Sequence, residues 1–377
     1  MKYFLLGAVS AAALLAAGTA MAAGNASDIE QIGAANIANV DQTGESSNGV
    51  VTVNQSDLYN TAGVTQSGAG NQASVTQSNG SFGAVTNPSN QSTSNQKGQN
   101  GALTVVQVGN SSSNIIQTSL AVNEHALVGQ SGNGDSSTIV QSGNSELGMV
   151  NQELGNDNLA SINQAGAGNG VYGPHPIGRI SGPGNLYWNE NVPGDSVLPG
   201  ASLGNTSYGP DGAFVDQLGS SERGSVVQSG FQDFADVAQG NNAGGSHNTG
   251  SVTQGGGTIQ SDGVMFQDGQ FNVASIDQEG NGSSYSTVWQ YSVGNRAFAS
   301  QIGSETSSIQ QGFTDDVGDE GAAVSNDSAS VTQSGGGDKS VINQSGNNDT
   351  AMVSQLGAGA TSTISQGGSF NTANVHQ

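Results

Sequence analysis

The side chains of this chain that could do chemistry are amides and carboxylates set at a fixed spacing. Glutamine recurs at intervals of eleven residues in Gln31 and Gln42, in Gln55, Gln66 and Gln77, in Gln96 and Gln107, and in Gln130, Gln141 and Gln152. The interval returns in Gln217, Gln228 and Gln239, in Gln267 and Gln278, in Gln290 and Gln301, and in Gln333, Gln344, Gln355, Gln366 and Gln377. Six residues before many of these glutamines stands an asparagine or an acid. Each amide carries donors and acceptors together, so a column of stacked amides can pair with itself. Catalysis has no comparable support. His125, His175, His247 and His376 are scattered without metal-ligand spacing, and there is no cysteine. No Gly-x-Ser-x-Gly elbow occurs, and Gly255, Gly256 and Gly257 lack the Lys and helix start of a phosphate loop. The reading is of a protein that is not an enzyme and needs no cofactor.

A fixed period marks a repeat architecture. From residue 60 to 77 the sequence reads N-T-A-G-V-T-Q-S-G-A-G-N-Q-A-S-V-T-Q. Asn60, Ala62, Val64 and Gln66 share one parity, and Asn71, Ala73, Val75 and Gln77 repeat it. Alternate residues of a strand share a face. Each unit therefore supplies one strand, with Asn, Ala, Val and Gln on the inner face and small polar residues outside. Glycine between the strands permits a tight turn. Two units make a strand-turn-strand rung of about 22 residues, and stacked rungs pair at about 4.8 Å. The expectation is an all-β, amyloid-like β-solenoid of two sheets, roughly 14 rungs and about 70 Å long. Asn is expected to sit over Asn and Gln over Gln.

Composition agrees with a thin core. Hydrophobic residues are 33% and aromatics 5%, with 59 glycines in 377 residues, against roughly 45–50% apolar in ordinary globular domains. The formal charge is −23, with 6 Lys and Arg against 29 Asp and Glu. Nucleic acid is excluded as a partner, because phosphate binding needs clustered cations. Anionic membrane surfaces are excluded for the same reason.

Four segments follow from the pattern. Residues 1–22 read as a secretory signal peptide: Lys2, an apolar stretch over 4–17, and Ala20-Met21-Ala22 as a cleavage site. No later stretch has the roughly 18 apolar residues of a membrane span, so no membrane insertion is expected. Residues 23–169 and 213–377 are two repeat blocks. Residues 170–212 break the period and hold six of the seven prolines. Proline cannot donate to a ladder, so this insertion reads as a surface loop, or as a binding loop or gatekeeper that slows assembly.

The pattern Asn-x5-Gln-x4-Asn-x5-Gln resembles the curlin repeat of curli fibre subunits. Asn25, Gln31, Asn36 and Gln42 carry it, as do Asn60, Gln66, Asn71 and Gln77. Gln267, Asn272 and Gln278 match in part, as do Gln290, Asn295 and Gln301, and the last unit holds Gln366, Asn371 and Gln377. The resemblance implies a secreted functional amyloid at the cell surface. It implies export through an outer-membrane pore, polymerisation with copies of itself, and a curli-type nucleator or major subunit as companion. Its role would be adhesion and biofilm matrix. The rival among repeat folds is a monomeric β-solenoid adhesin with capped ends. A calcium-binding β-roll would need tandem nonapeptides and a period of nine.

At the strand start, acids replace asparagine in Asp135, Glu146, Asp211, Glu222, Asp233, Asp327, Asp338 and Asp349. Asp211 is expected to stack over Asp233, and Asp327 over Asp349. Stacked carboxylates raise each other's pKa, which would make these columns sensitive to acid or calcium. An Asp there can also simply cap a turn. Asp315, Asp316, Asp319 and Glu320 read as a solvated bulge.

Overall fold

The computed structural model describes residues 24–42, 48–78, 89–118, 121–167, 212–240, 247–255, 257–258, 260–312 and 326–377. The signal segment, the proline-rich insertion, Asp211 and the acidic group at 315–320 lie outside the described residues. The described residues form 24 strands and no helix, and every strand pairing is parallel. The chain winds as a parallel β-solenoid of about 12 turns, with about 23 residues per turn. That is shorter than the expected 14 rungs. The turns between strands vary in length, so some of the sequence is spent on connections instead of strands.

Pairing is in register along the strands, with shifts only at Asn110/Ser112 and Ser131/Asn133. Gln31 lies over Gln55 and Gln42 over Gln66, and the same partners recur at each turn. The two sets of pairings meet in two long strands, Ala102–Gln117 and His125–Gln141, which run through both legs of a rung. Winding continues across the insertion: Leu147–Asn156 pairs with Gly212–Gln217, and Leu159–Gln164 with Arg223–Gln228.

The core is one side chain thick from each leg. Strand Val50–Gln55 alternates strictly, with Val51, Val53 and Gln55 buried. Two residues before most of the glutamines comes a Val or Ile such as Val53, Ile162, Ile276 or Ile342, each with no exposed surface. Four residues before most glutamines comes a small residue, with Val51 and Leu103 as exceptions, and at some rungs the space for it is tight. A Cβ on Gly250 would fall 2.6 Å from Met265 Sδ and 2.9 Å from Val237 Cγ1. A Cβ on Gly263 would fall 2.6 Å from Val252 Cγ1. Large residues of one leg thus fill the space that small residues leave on the other.

Strands begin after a residue in the left-handed conformation. Tyr59, Asn123, Ser145, Ser221, His247, Phe271 and Phe370 all have φ between 57° and 63°. Such a conformation costs non-glycine residues roughly 1–2 kcal/mol. Main-chain bonds between rungs hold it, such as Tyr59 N–H to Ala34 O at 3.1 Å and Ser221 N–H to Asn156 O at 2.8 Å.

The outer surfaces differ. On the leg that ends in Gln217, Gln239, Gln267 and Gln290, the outward residues include Phe214, Phe234, Phe266 and Trp289. Phe214 and Phe234 lie 5.7 Å apart, and Phe266 and Trp289 5.4 Å apart. Asp236 is buried among them, and its Oδ1 has no partner. Burial, with the nearby Asp216 charge, pushes the Asp236 carboxyl up to about 7. The outward residues of the other leg include Ser225, Ser251 and Ser275, and the last two share a hydroxyl bond of 3.1 Å.

Candidate functional site: the amide columns and their acidic substitutions

Two columns of glutamine run the length of the described solenoid. One links Gln31, Gln55, Gln77, Gln107, Gln130 and Gln152 through side-chain bonds of 2.6–2.8 Å. It continues through Gln217, Gln239, Gln267, Gln290, Gln311, Gln344 and Gln366 at 2.7–2.9 Å. The other links Gln42, Gln66, Gln96, Gln117, Gln141, Gln164 and Gln228 at 2.7–3.1 Å. It passes through Gln254, Gln278, Gln301, Gln333 and Gln355 to Gln377 at 2.9–3.2 Å. In every link Nε2 donates toward the C-terminal side and Oε1 accepts.

The second N–H of each amide does a different job. Gln55 donates to Ile37 O at 2.9 Å, Gln77 to Thr61 O at 3.0 Å and Gln239 to Arg223 O at 3.0 Å. Each of these carbonyls opens the facing leg. The glutamine therefore ties rung to rung and also leg to leg. Sequence spacing showed the first role and not the second, because which carbonyl faces the amide depends on how the turn closes.

The asparagines pair with main chain instead of with one another. Asn36 Oδ1 accepts the Asn60 N–H at 3.0 Å, and Asn71 Oδ1 accepts the Gly101 N–H at 2.9 Å. Asn272 accepts from the Asn295 N–H, and Asn295 from the Asp327 N–H, both at 3.0 Å. Their Nδ2 groups reach turn carbonyls, as from Asn71 to Gly98 O at 3.1 Å and from Asn371 to Gly367 O at 2.9 Å. Asn90 Nδ2 to Asn60 Oδ1 at 3.0 Å is an exception in which two such amides do meet. The strand start thus needs an acceptor that the next rung's N–H can reach.

A family model for the curlin associated repeat matches residues 325–357. The chain carries a curlin associated repeat there. The matched segment holds Asp327, Gln333, Asp338, Gln344, Asp349 and Gln355, two strand starts in one column and one in the other. No curated protein matches the chain.

Need for an acceptor alone explains why acids enter the curlin repeat at the strand start. Asp327 Oδ1 accepts the Asp349 N–H at 2.9 Å, and Asp349 Oδ1 accepts the Asn371 N–H at 2.8 Å. Asp135 accepts from Asn158 N–H at 3.1 Å, Glu222 from Asn248 N–H at 2.9 Å, and Asp233 from Ser261 N–H at 3.1 Å. Asp338 accepts from Ala360 N–H at 2.8 Å. Glu124 and Glu305 occupy the same position, serving Glu146 N–H at 3.1 Å and Asp338 N–H at 2.8 Å. Both were identifiable from the sequence as the residues six before Gln130 and Gln311. Burial raises Glu222 to about 7 and raises Asp233. Among the described residues, no group of three His, Cys, Asp or Glu is placed to hold a metal ion, and no helix is long and apolar enough to cross a membrane.

Proposed function

We propose that this curlin-repeat chain is a secreted structural subunit that assembles with copies of itself into curli-like amyloid fibres at the cell surface, serving adhesion and biofilm matrix. The observation that carries the reading is the polarity of the glutamine columns. Every linked column glutamine donates toward the C-terminal side, so in these columns a rung offers acceptors on one side and donors on the other. Main-chain pairing follows the same parallel register. A solenoid end of this kind presents unpaired backbone groups, and an exposed strand edge templates addition of another strand. Opposite ends are complementary, whereas like ends would set donor against donor. Growth is therefore head to tail, with an incoming chain folding onto the exposed Gln and Asn positions. The role is structural and not catalytic, and the repeat supports an extracellular location. Export through an outer-membrane pore, and a nucleator or major subunit as companion, follow from the family resemblance. The buried acids would make assembly respond to acid or calcium.

The test is to dilute the purified chain lacking residues 1–22 from denaturant and follow dye-binding fluorescence and sedimentation. The reading expects a pelletable, dye-positive product whose fragments seed further growth. A stable, strand-rich monomer that seeds cannot convert would contradict it and favour a β-solenoid adhesin.

A further inference from the structure

The strand-start side chain does two jobs, and one of them is lost when carboxylate replaces amide. Asn272 shows both: Oδ1 accepts the Asn295 N–H at 3.0 Å, and Nδ2 donates to Ser292 O at 3.1 Å and Asp268 O at 3.3 Å. A carboxylate keeps the acceptor and has no donor. The acids divide on this point. Both oxygens of Glu305 are taken, by the N–H groups of Gly336 at 2.7 Å and Asp338 at 2.8 Å. Asp233 uses one oxygen for the Ser261 N–H and the other for the Thr258 hydroxyl at 2.7 Å. In Glu124, Asp135, Asp327, Asp338 and Asp349, one oxygen serves the next rung while the other is buried with no partner. The spare Oδ2 of Asp349 is aimed at Gly346 in the turn, 2.8 Å from where a Cβ on that glycine would lie.

Among the described residues, no cation is paired with these oxygens. Asp327 is flanked in its column by Asn295 and Asp349, and the amide of Gln344 bonds the neighbouring Ser328 carbonyl at 3.2 Å. Arg296 and Lys339 open adjacent strands with their side chains exposed. Asp135 has Asn158 as its column partner, with Asp157 as the nearby charge. Glu124 faces Glu146, whose own oxygens accept from Gly143 N–H at 3.3 Å and Gly166 N–H at 2.8 Å. The adjoining His125 has its pKa lowered by burial, so it offers no fixed positive charge.

We propose that Glu124, Asp135 and Asp327 stand in for asparagine as protonated carboxylic acids, with O–H in place of the amide N–H, so that winding of the rungs takes up protons. The inference concerns winding of the chain and stands whether or not wound chains polymerise. Burial first, and then the Asp157 charge, raises Asp135 to about 7. Burial, with Asp349 adding, raises Asp327 to about 6. Burial and the Glu146 charge raise Glu124 as well. A carboxyl whose folded pKa is raised contributes stability that is complete below its ordinary value near 4 and is lost as pH rises through the folded value. For Asp135 and Asp327 that window lies between about 4 and 7.

The test is denaturant titration of dilute full-length chain by circular dichroism at pH 5 and pH 8, with proton uptake on winding measured at constant pH. The wound-to-unwound ratio should rise as pH falls, by on the order of tenfold per pH unit for each proton taken up. The variant E124Q/D135N/D327N should lose part of the pH slope and take up fewer protons than the parent, while the raised carboxyls of Glu222 and Asp236 keep the rest. E305Q should keep the pH dependence and lower the ratio at both values, because it places a donor where two N–H groups need acceptors. An unchanged pH slope in the threefold variant, no proton uptake by the parent chain, or a slope that a chelator abolishes would overturn the proposal. Fibre formation is not needed for any of these readouts, so failure here is distinct from failure of the assembly reading.

Discussion

Gln164 Nε2 donates to Gln228 Oε1 at 2.9 Å although 64 positions separate the two residues. Gln152 and Gln217 meet in the same way at 2.7 Å across 65 positions. The columns therefore cross the proline-rich interruption with the geometry they have elsewhere. Loop closure costs about 0.6 kcal/mol per doubling of length, so spanning 64 residues instead of about 22 adds only about 1 kcal/mol. Replacing 170–211 with a short Ser-Gly turn should leave the strand signal intact and raise unfolding stability by up to about 1 kcal/mol. Denaturant titration would show it. A chain that no longer winds would mean that the interruption is needed to continue the stack.

A glutamine inside a column has partners on both sides, and truncating it strands them. Gln267→Ala removes the acceptor of Gln239 Nε2 and the donor to Gln290 Oε1, both at 2.8 Å, together with the tie to Thr249 O at 3.1 Å. A buried polar group left unpaired costs about 1–3 kcal/mol, and a loss of at least that size is expected. Gln310→Ala, on the outer side of the strand next to Gln311, should change stability by less than about 0.5 kcal/mol. Equal effects at the two sites would show that the column carries no special weight.

Much of this was legible in the sequence, and the parts that were not share a cause. Strand positions and inner faces followed from the alternation around Gln66 and Gln77. Gln117, Gln164 and Gln254 escaped the period because the turns before them are not of standard length, yet each sits in the column. The rung count was overestimated for the same reason. Pairing of Asn36 Oδ1 with a main-chain N–H also had no sequence signal, since spacing reports that residues stack and not which atoms meet. Left-handed starts were hidden where His247, Phe271 and Phe370 occupy a place usually marked by Gly or Asn.

Small residues four before the glutamine should be as sensitive as the large ones they face. Gly250→Ala forces a methyl against Met265 Sδ and Val237 Cγ1. Overpacking costs typically 1–3 kcal/mol, and a loss in that range is expected by thermal unfolding. Met265→Val should relieve part of it in the double variant. Additive losses would show that the two legs do not interlock at this place.

Asp236 offers a second pH effect on the outer face. Its carboxyl is raised to about 7 by burial and by Asp216, so its contribution is present below about 4 and lost as pH rises through about 7. Asp236→Asn should stabilise the wound chain at pH 8 and leave it nearly unchanged at pH 4. Denaturant midpoints at the two values check this, and a variant that is destabilised equally at both would contradict the assignment.

The most direct measurement of the central claim is fibre diffraction from the assembled product of the chain lacking residues 1–22. Head-to-tail stacking of parallel rungs continues the spacing within each solenoid across the junction, so a sharp meridional reflection at about 4.7–4.8 Å is predicted. A product without that reflection, or a chain that stays monomeric while its strands are formed, would contradict the account.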